Sequence, residues 1–293
     1  MHLEELKTFI AVVDSRNFTK AGSVLNISQP TVSLHIKNLE DELNVALLVR
    51  SNKSFHITEA GRLLYERAKQ LLQLASQTKE EIQWQQKEVS GILRIAASYT
   101  IGESILPDVL HRLFQKYPDL QFEVSIENTE DVEAAVRELR CDIGCIEGSI
   151  EAKELLIQPF MEDKLILVAN HTHPLGKTAK LDVKDLQSAH WIMREKGSGT
   201  REYTNYILNS IGQIKPPRTI IGSNEGVKKL VLCGLGIAAV SIHTVRKEID
   251  SGELVPLNFD IKLPKRTFST LHSPLADDKR HIAVFLDELQ GFY

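Results

Sequence analysis

The chain has 293 residues, enough for two or three domains, each with its own core. Its 42% hydrophobic and 25% charged content is that of a globular protein, and its formal net charge of −4 excludes a surface coated in basic charge. No apolar run approaches the ~20 residues of a membrane span, the start MHLEELKTF lacks the basic-then-apolar form of a signal peptide, and Cys141, Cys145 and Cys233 form no disulfide framework, so the expected compartment is the cytoplasm, without membrane attachment.

In chain order, Leu3, Leu6, Phe9, Ile10 and Val13 recur at helical spacing and predict a first helix ending near Ser15 to Asn17. Asn17 or Thr19 can cap a second, whose Phe18, Ala21 and Leu25 face inward; Ala21 and Gly22 are small, as close helix approach requires. A third opens at Ser28-Gln29-Pro30, an N-cap followed by a proline whose missing N–H has no partner to lose in a first turn. Its apolar stripe is Val32, Ile36, Leu39 and Leu43; Pro30, Leu34, Lys37 and Asp41 lie opposite, with Thr31 and Ser33 on the flanks. Periodicity alone describes an ordinary amphipathic helix. Three short helices with tight connections also form a helix-turn-helix, which presents such a face to the major groove of DNA.

After Leu43, Leu47-Leu48-Val49, the turn Ser51 to Ser54 and Phe55-His56-Ile57 predict a β-hairpin, the wing of a winged helix, in which Arg50 and Lys53 would meet phosphate or the minor groove. Within residues 1–89 basic and acidic residues balance, so binding must rest on a local patch rather than bulk charge. Thr58-Glu59-Ala60-Gly61 opens a long helix to about residue 88, roughly 40 Å. Leu64, Ala68, Leu71, Ala75, Thr78, Ile82, Gln85 and Val89 make a heptad seam, which predicts pairing with a second copy and hence a two-fold-related DNA site.

The order NFTKAGSVLNISQPTVSLHIKNLEDEL, LLVRSNKSFHITEAG and a long helix resembles the LysR-type bacterial transcriptional regulators. Ser28, Gln29, Pro30, Ser33, Ile36, Leu39, Glu40, Leu47, Arg50 and Thr58 to Gly61 match that pattern; Leu34 stands where many members carry Arg, and Leu48 where Phe is usual. The resemblance implies double-stranded operator DNA as a partner, with contacts from Thr19, Lys20, Ser28, Gln29, Pro30, Thr31, Ser33, Leu34, Lys37, Arg50 and Lys53. It also implies a homodimer through the linker helix, a homotetramer as the common assembly, and RNA polymerase as a further partner. Leu34 cannot donate to guanine but can pack on a thymine methyl.

Beyond Gly91 strands and helices alternate. Strands are predicted at 92–96, 122–126, 141–146, 164–169, 190–193, 218–221, 237–241 and 266–273, with helices from Ser98 through Tyr117, over 130–140, after Gly199, from Glu225 to Cys233 and over 278–291. This predicts a parallel α/β arrangement in two lobes with crossings near 162–164 and 262–268, which resembles the periplasmic-binding-protein type of effector domain found in the LysR family. The expected organisation is a winged helix-turn-helix over 1–58, a linker helix over 59–89, and an effector domain over 90–293, with lobe I at about 90–163 and 267–293 and lobe II at about 164–266. Such lobes bind small molecules at strand carboxyl ends, where helix N-termini supply free N–H groups.

Candidate effector residues are Ser98, Thr100 and Ile101 in the first lobe and Ser198, Gly199 and Thr200 in the second, offering hydroxyls and amides without inward carboxylates. Glu147 and Gly148, and Ser223 and Asn224 before the helix at Glu225, are expected at the cleft rim, though Glu147 would repel an anion unless protonated or turned away. Each of these residues singly also fits a helix cap or turn. The expected ligand is a small, anionic effector such as a sulfur oxyanion, with no metal and no further cofactor. IAASYTIGESILP, IGCIEGSIE, QPFMED and MREKGSGTREY resemble the CysL branch, which implies genes of sulfite reduction and sulfur assimilation as targets.

Enzyme readings lack residues to carry them. No G-x-S-x-G elbow or P-loop occurs. Gly234-Leu235-Gly236-Ile237-Ala238-Ala239 fits a dinucleotide fingerprint but follows a helix and precedes a strand, the reverse of the required context. His171 and His173 lack a third metal ligand nearby. The competing class is a solute-binding or catalytic α/β protein whose N-terminal helices serve only oligomerisation.

Overall fold

The computed structural model describes residues 1–51, 54–84, 89–148, 150, 152–212, 218–260, 265–276 and 279–291. The chain divides into two compact units, Met1–Gln86 and Lys87–Tyr293.

The first unit contains α1 (Leu3–Ser15), α2 (Phe18–Leu25), α3 (Gln29–Leu43), the hairpin of β1 (Leu48–Ser51) and β2 (Ser54–Ile57), and α4 (Glu59–Trp84). Asn17 accepts from the Lys20 N–H at the start of α2, and Ser28 from the Thr31 N–H at the start of α3, each such cap contributing about 1 kcal/mol. Gly22 allows the tight connection: a Cβ there would lie 2.7 Å from the Ile27 carbonyl oxygen. Leu6, Phe9, Val12, Ala21, Val32, Ile36, Leu39, Leu47 and Ala68 are buried together as one core. Leu43 leaves the predicted stripe at the end of α3 and is exposed.

The residues that carry the motif of this region hold the wing to the helices. Glu40 Oε1 accepts the N–H groups of Leu47 at 2.8 Å and Leu48 at 3.1 Å. The Thr58 hydroxyl donates to the Ala46 carbonyl at 2.8 Å and accepts the Gly61 N–H at 2.9 Å, capping α4. Along the heptad seam, Ala68 and Leu64 pack into this unit's own core, whereas Leu71 and Ile82 stand exposed with Leu63 and Leu74. Among the described seam residues, Leu71, Thr78 and Ile82 are open to a second helix, while Val89 packs on the second unit's own core. Gln85 lies outside the described residues.

The second unit runs β3 (Gly91–Ser98), α5 (Tyr99–Ser104), α6 (Leu106–Lys116), β4 (Leu120–Glu127), α7 (Thr129–Arg137), β5 (Ile143–Glu147), β6 (Leu156–Asp163), β7 (Leu165–Asn170), α8 (Val183–Ser188), β8 (Trp191–Arg194), α9 (Gly199–Ser210), β9 (Arg218–Ile221), α10 (Asn224–Leu232), β10 (Ala238–Ser241), α11 (Ile242–Asp250), β11 (Leu254–Pro256), β12 (Arg266–His272) and α12 (Arg280–Gln290). The helix expected from Ser98 to Tyr117 is two, broken at Ile105, because Pro107 in the first turn of α6 cannot continue α5.

One sheet has the order β4-β3-β5-β12-β6. It is mixed rather than parallel, contrary to the sequence expectation: β3 is parallel to β4 and β5, but β12, on its return from the other lobe, is antiparallel to β5 and β6. The strand β6, absent from the sequence reading, is an edge strand that carries Pro159 opposite Ser269, and its pairing register shifts between Phe268 and Ser269. In the second lobe β7 lies antiparallel between β10 and β11, and β8 pairs in parallel with β9. The chain passes between the lobes directly after Asp163 and returns before Arg266.

Candidate functional site

On the recognition face of the first unit, Gln29, Pro30, Leu34 and Lys37 are exposed along α3, and Thr19 and Lys20 are exposed at the start of α2. Leu34 is 55% exposed, an apolar side chain held toward solvent. Thr31 and Ser33 are half-buried and their hydroxyls engaged: Thr31 Oγ1 lies 2.8 Å from Ser28 Oγ, and Ser33 Oγ accepts from Gln29 Nε2 at 2.8 Å. Gln29 therefore stands further out than Ser33 and is oriented by it. Behind this face His35 Nδ1 meets the Thr8 hydroxyl at 2.8 Å and Asn38 donates to Glu5 at 3.0 Å, fixing α3 on α1. Arg50 is a residue of β1, opposite Phe55. Lys53 lies outside the described residues.

In the second unit, strand ends and helix starts of both lobes converge on one carboxylate. Glu147, at the end of β5, is buried at 3% exposure, so it is not a rim residue. Its Oε1 accepts the Thr100 N–H at 2.9 Å. Its Oε2 accepts the Thr200 hydroxyl at 3.1 Å and Arg266 Nη1 at 2.6 Å. Arg266 Nη1 also donates to Thr200 Oγ1 at 2.9 Å, and Arg266 Nε donates to Asp163 Oδ2 at 2.7 Å, with Nη2 on the same oxygen. Asp163 Oδ1 accepts the Ser241 hydroxyl at 2.7 Å and lies 3.8 Å from His243 Nε2.

Asn224 completes the bridge between the lobes, donating to Thr100 Oγ1 at 3.2 Å and accepting Arg194 Nη1 at 2.5 Å. Arg194 is bidentate on Glu195, at 2.7 Å for each bond, and lies 4.2 Å over the Tyr99 ring. Gly199 is required where α9 meets this centre, since a Cβ would fall 2.7 Å from the Glu147 carbonyl oxygen. Asn224 and His243 also line a cleft of about 850 Å³ together with Glu103, Lys228 and Glu248, so the buried network backs onto open space.

Burial acts most strongly on the Glu147 carboxyl and opposes its charge, but the Arg266 guanidinium, Thr100 and Ser98 outweigh it and hold the group below the usual carboxylate range. The Ser98 hydroxyl, 2% exposed, is near enough to favour that charge yet has no hydrogen-bond partner among the described residues.

Ser98, Thr100, Glu147 and Thr200 are thus brought together, and Ser198 and Gly199 are buried beside them at the start of α9. The expectation that no carboxylate points inward is corrected: Glu147 and Asp163 both do, paired through Arg266. Ile101 turns away into the hydrophobic core with Leu93, Ile95 and Phe268. Ser223 caps α10 by accepting the Gly226 N–H at 3.1 Å. Sequence reasoning missed Arg266 and Asp163, whereas Asn224, expected with Ser223 at the cleft, lines it and bonds Thr100 of the other lobe. A charged residue opening an otherwise buried strand at a lobe crossing was the available signal for Arg266.

Cys141 and Cys145 are buried thiols; burial pushes Cys141 up to about 12 and Cys145 further. Gly234, with φ +77, ends α10, and a Cβ on Gly236 would lie 2.1 Å from the His190 carbonyl oxygen. That run is a helix stop and close-packed strand entry, with no phosphate loop.

Comparison with known proteins gives the same assignment for both units. Residues 3–62 match the bacterial regulatory helix-turn-helix protein, lysR family, and residues 86–292 match the LysR substrate binding domain. The chain belongs to the LysR family of transcriptional regulators. It is 46% identical over 293 residues to the HTH-type transcriptional regulator CysL of Bacillus subtilis, covering 100% of this chain and 98% of that one. A Synechocystis CcmR regulatory domain in complex with 2-PG is 27% identical, with a TM-score of 0.62, covering 69% of this chain and 96% of that one. Full-length CbnR complexed with its target DNA shares the fold, with a TM-score of 0.73 at 19% identity over 100% of both chains. The family and these relatives are regulators, not enzymes. Among the described residues no helix is long and apolar enough to cross a membrane.

Proposed function

We propose that this LysR-type regulator is a cytoplasmic protein that controls genes of sulfur assimilation, sulfite reduction included, in response to a small anion seated between the two lobes of its second unit. The observation that carries the ligand reading is the convergence of the Thr100 N–H, the Thr200 hydroxyl and the Arg266 guanidinium, with the Ser98 hydroxyl spare, on one buried carboxylate at the strand ends. These donors suit an oxyanion or carboxylate, and the protein's own carboxylate among them supports that reading. The pathway reading rests on the 46% identity to CysL across the whole chain.

DNA is read by α3, with Gln29 and Leu34 reaching base edges and Lys37 and the wing holding phosphate. The exposed end of the α4 seam pairs two copies, and a second contact between effector units makes the tetramer. Ligand in the cleft changes how the lobes close and so the spacing of the DNA-binding pairs.

A gel-shift titration on the chain's own upstream region tests the DNA reading: Lys37→Ala weakens all sequences alike, whereas Leu34→Arg changes the preferred half-site. Binding unaffected by both would remove α3 from the recognition role. Melting curves with sulfate, sulfite, thiosulfate and small carboxylates test the ligand reading, with Thr200→Val as the control that abolishes any shift.

A further inference from the structure

The donors that recommend the cleft for an anion are already occupied by an anion of the protein. Glu147 takes the Thr100 N–H, the Thr200 hydroxyl and one arm of Arg266, while Asp163 takes the other. Two buried carboxylates therefore share one guanidinium. Arg194, the other buried cation of the site, is committed to Glu195 and Asn224. Among the described residues, Glu103 on α5, Tyr203 on α9 and His243 on α11 also face the centre, with Glu225 and Lys228 of α10 beside Glu103. An ionised carboxylate accepts hydrogen bonds and cannot donate them. A ligand that offers only acceptor oxygens would meet Glu147 lone pair to lone pair in a water-poor setting, where like charges interact strongly.

Resting on the reading of this cleft as the effector seat, we propose that Glu147 is its specificity-determining residue, admitting small oxyanions that carry a proton of their own and rejecting those that carry none. The ligand's O–H donates to the Glu147 carboxylate, as the Thr200 hydroxyl now does. Its remaining oxygens accept from the Ser98 hydroxyl and from the second Nη2–H of Arg266, the one N–H of that guanidinium not engaged by Asp163, Glu147 or Thr200. A proton-free anion enters only when Glu147 itself has taken a proton from solvent, and the pairing with Arg266 opposes that uptake throughout the neutral range. Ser98 adds a second observation: its buried hydroxyl lies beside Glu147, close enough to favour that charge, yet makes no hydrogen bond among the described residues, a place that a ligand oxygen would fill.

The test compares two tetrahedral anions matched in size and charge, hydrogen phosphate and sulfate, by calorimetric titration of the full chain across the neutral range. The wild-type chain binds hydrogen phosphate at least about tenfold more tightly than sulfate, and its sulfate affinity rises about tenfold for each unit the pH falls, the slope of one proton taken up. Glu147→Gln supplies an amide N–H in place of the carboxylate. It gains about tenfold or more in sulfate affinity, loses the preference for hydrogen phosphate, and flattens the pH slope. Equal wild-type affinity for the two anions with no pH slope overturns the proposal, as does a Glu147→Gln chain that keeps the wild-type ratio. If Glu147→Gln does not fold, the wild-type ranking and slope decide alone. Binding of both anions without discrimination leaves the effector seat standing and removes only Glu147 as its filter. Absence of binding by either anion to the wild type and to a folded Glu147→Gln chain removes the anion seat itself.

Discussion

Arg266→Met removes the cation on which two buried carboxylates depend while keeping much of the side-chain volume. Arg266 is 4% exposed, and its partners Glu147 and Asp163 are 3% and 6% exposed. Breaking a buried pair from one side costs about 3–5 kcal/mol, because the orphaned charge stays in a poorly solvated place. One guanidinium serves two carboxylates here, so the upper part of that range is expected. For a unit of this size each kcal/mol moves the melting temperature by about 2–4 °C, giving a fall of about 8–20 °C at neutral pH.

The loss is also pH-dependent. In the wild type Glu147 is held below its ordinary value of 4.5. Its ionised form is thus favoured by folding, and this contribution is complete above 4.5 and lost as pH falls through the folded value. In Arg266→Met burial is left to dominate, the carboxyl shifts upward, and the deficit against wild type shrinks as the pH is lowered. Calorimetric melts of both chains from neutral to acid pH measure it. Adding Glu147→Gln to Arg266→Met recovers part of the loss. A melting temperature for Arg266→Met within about 2 °C of wild type, or a deficit unchanged by pH, would contradict the network described.

Of the three thiols, Cys233 is exposed and the buried Cys141 and Cys145 are pushed far above neutrality, so a thiol reagent titrates one equivalent on the native chain and three in denaturant. Gly61→Ala places a Cβ 2.2 Å from the Leu47 carbonyl oxygen and lowers the stability of the first unit by about 1–3 kcal/mol, read by urea unfolding. Gly199→Ala drives α9 away from Glu147, with a similar stability cost and a weakened ligand-induced melting shift. In a salt titration of DNA affinity, Lys37→Ala lowers the slope of log affinity against log salt by about 1.

Local chemistry made the first unit readable. Asn17 and Ser28 are caps in sequence and in structure, and the stripe Val32, Ile36 and Leu39 is buried as its spacing required. The cleft was half readable for a related reason. Ser98, Thr100 and Thr200 sit where a strand gives way to a helix or a helix begins, a signal confined to a few residues.

What joins them is long-range. Arg266 reaches Asp163 across 103 positions and Glu147 across 119, and Asn224 reaches Thr100 across 124, so no window along the chain contains both partners. Glu147 was misplaced for the same reason: without its cation a carboxylate is expected at a rim, and only the fold supplies Arg266. The strand β6 was hidden by Pro159, which an edge strand tolerates and a central one does not.

The most direct test of the account is a nuclease footprint of the full chain on its own upstream region, with and without hydrogen phosphate or sulfite, for the wild type and for Thr200→Val. The account predicts a protected region whose extent changes when the anion is added to the wild type and stays fixed in Thr200→Val, with both chains binding DNA in its absence. A footprint unaltered by any small anion in the wild type, or altered equally in both chains, would contradict the claim that the cleft between the lobes governs how this regulator holds DNA.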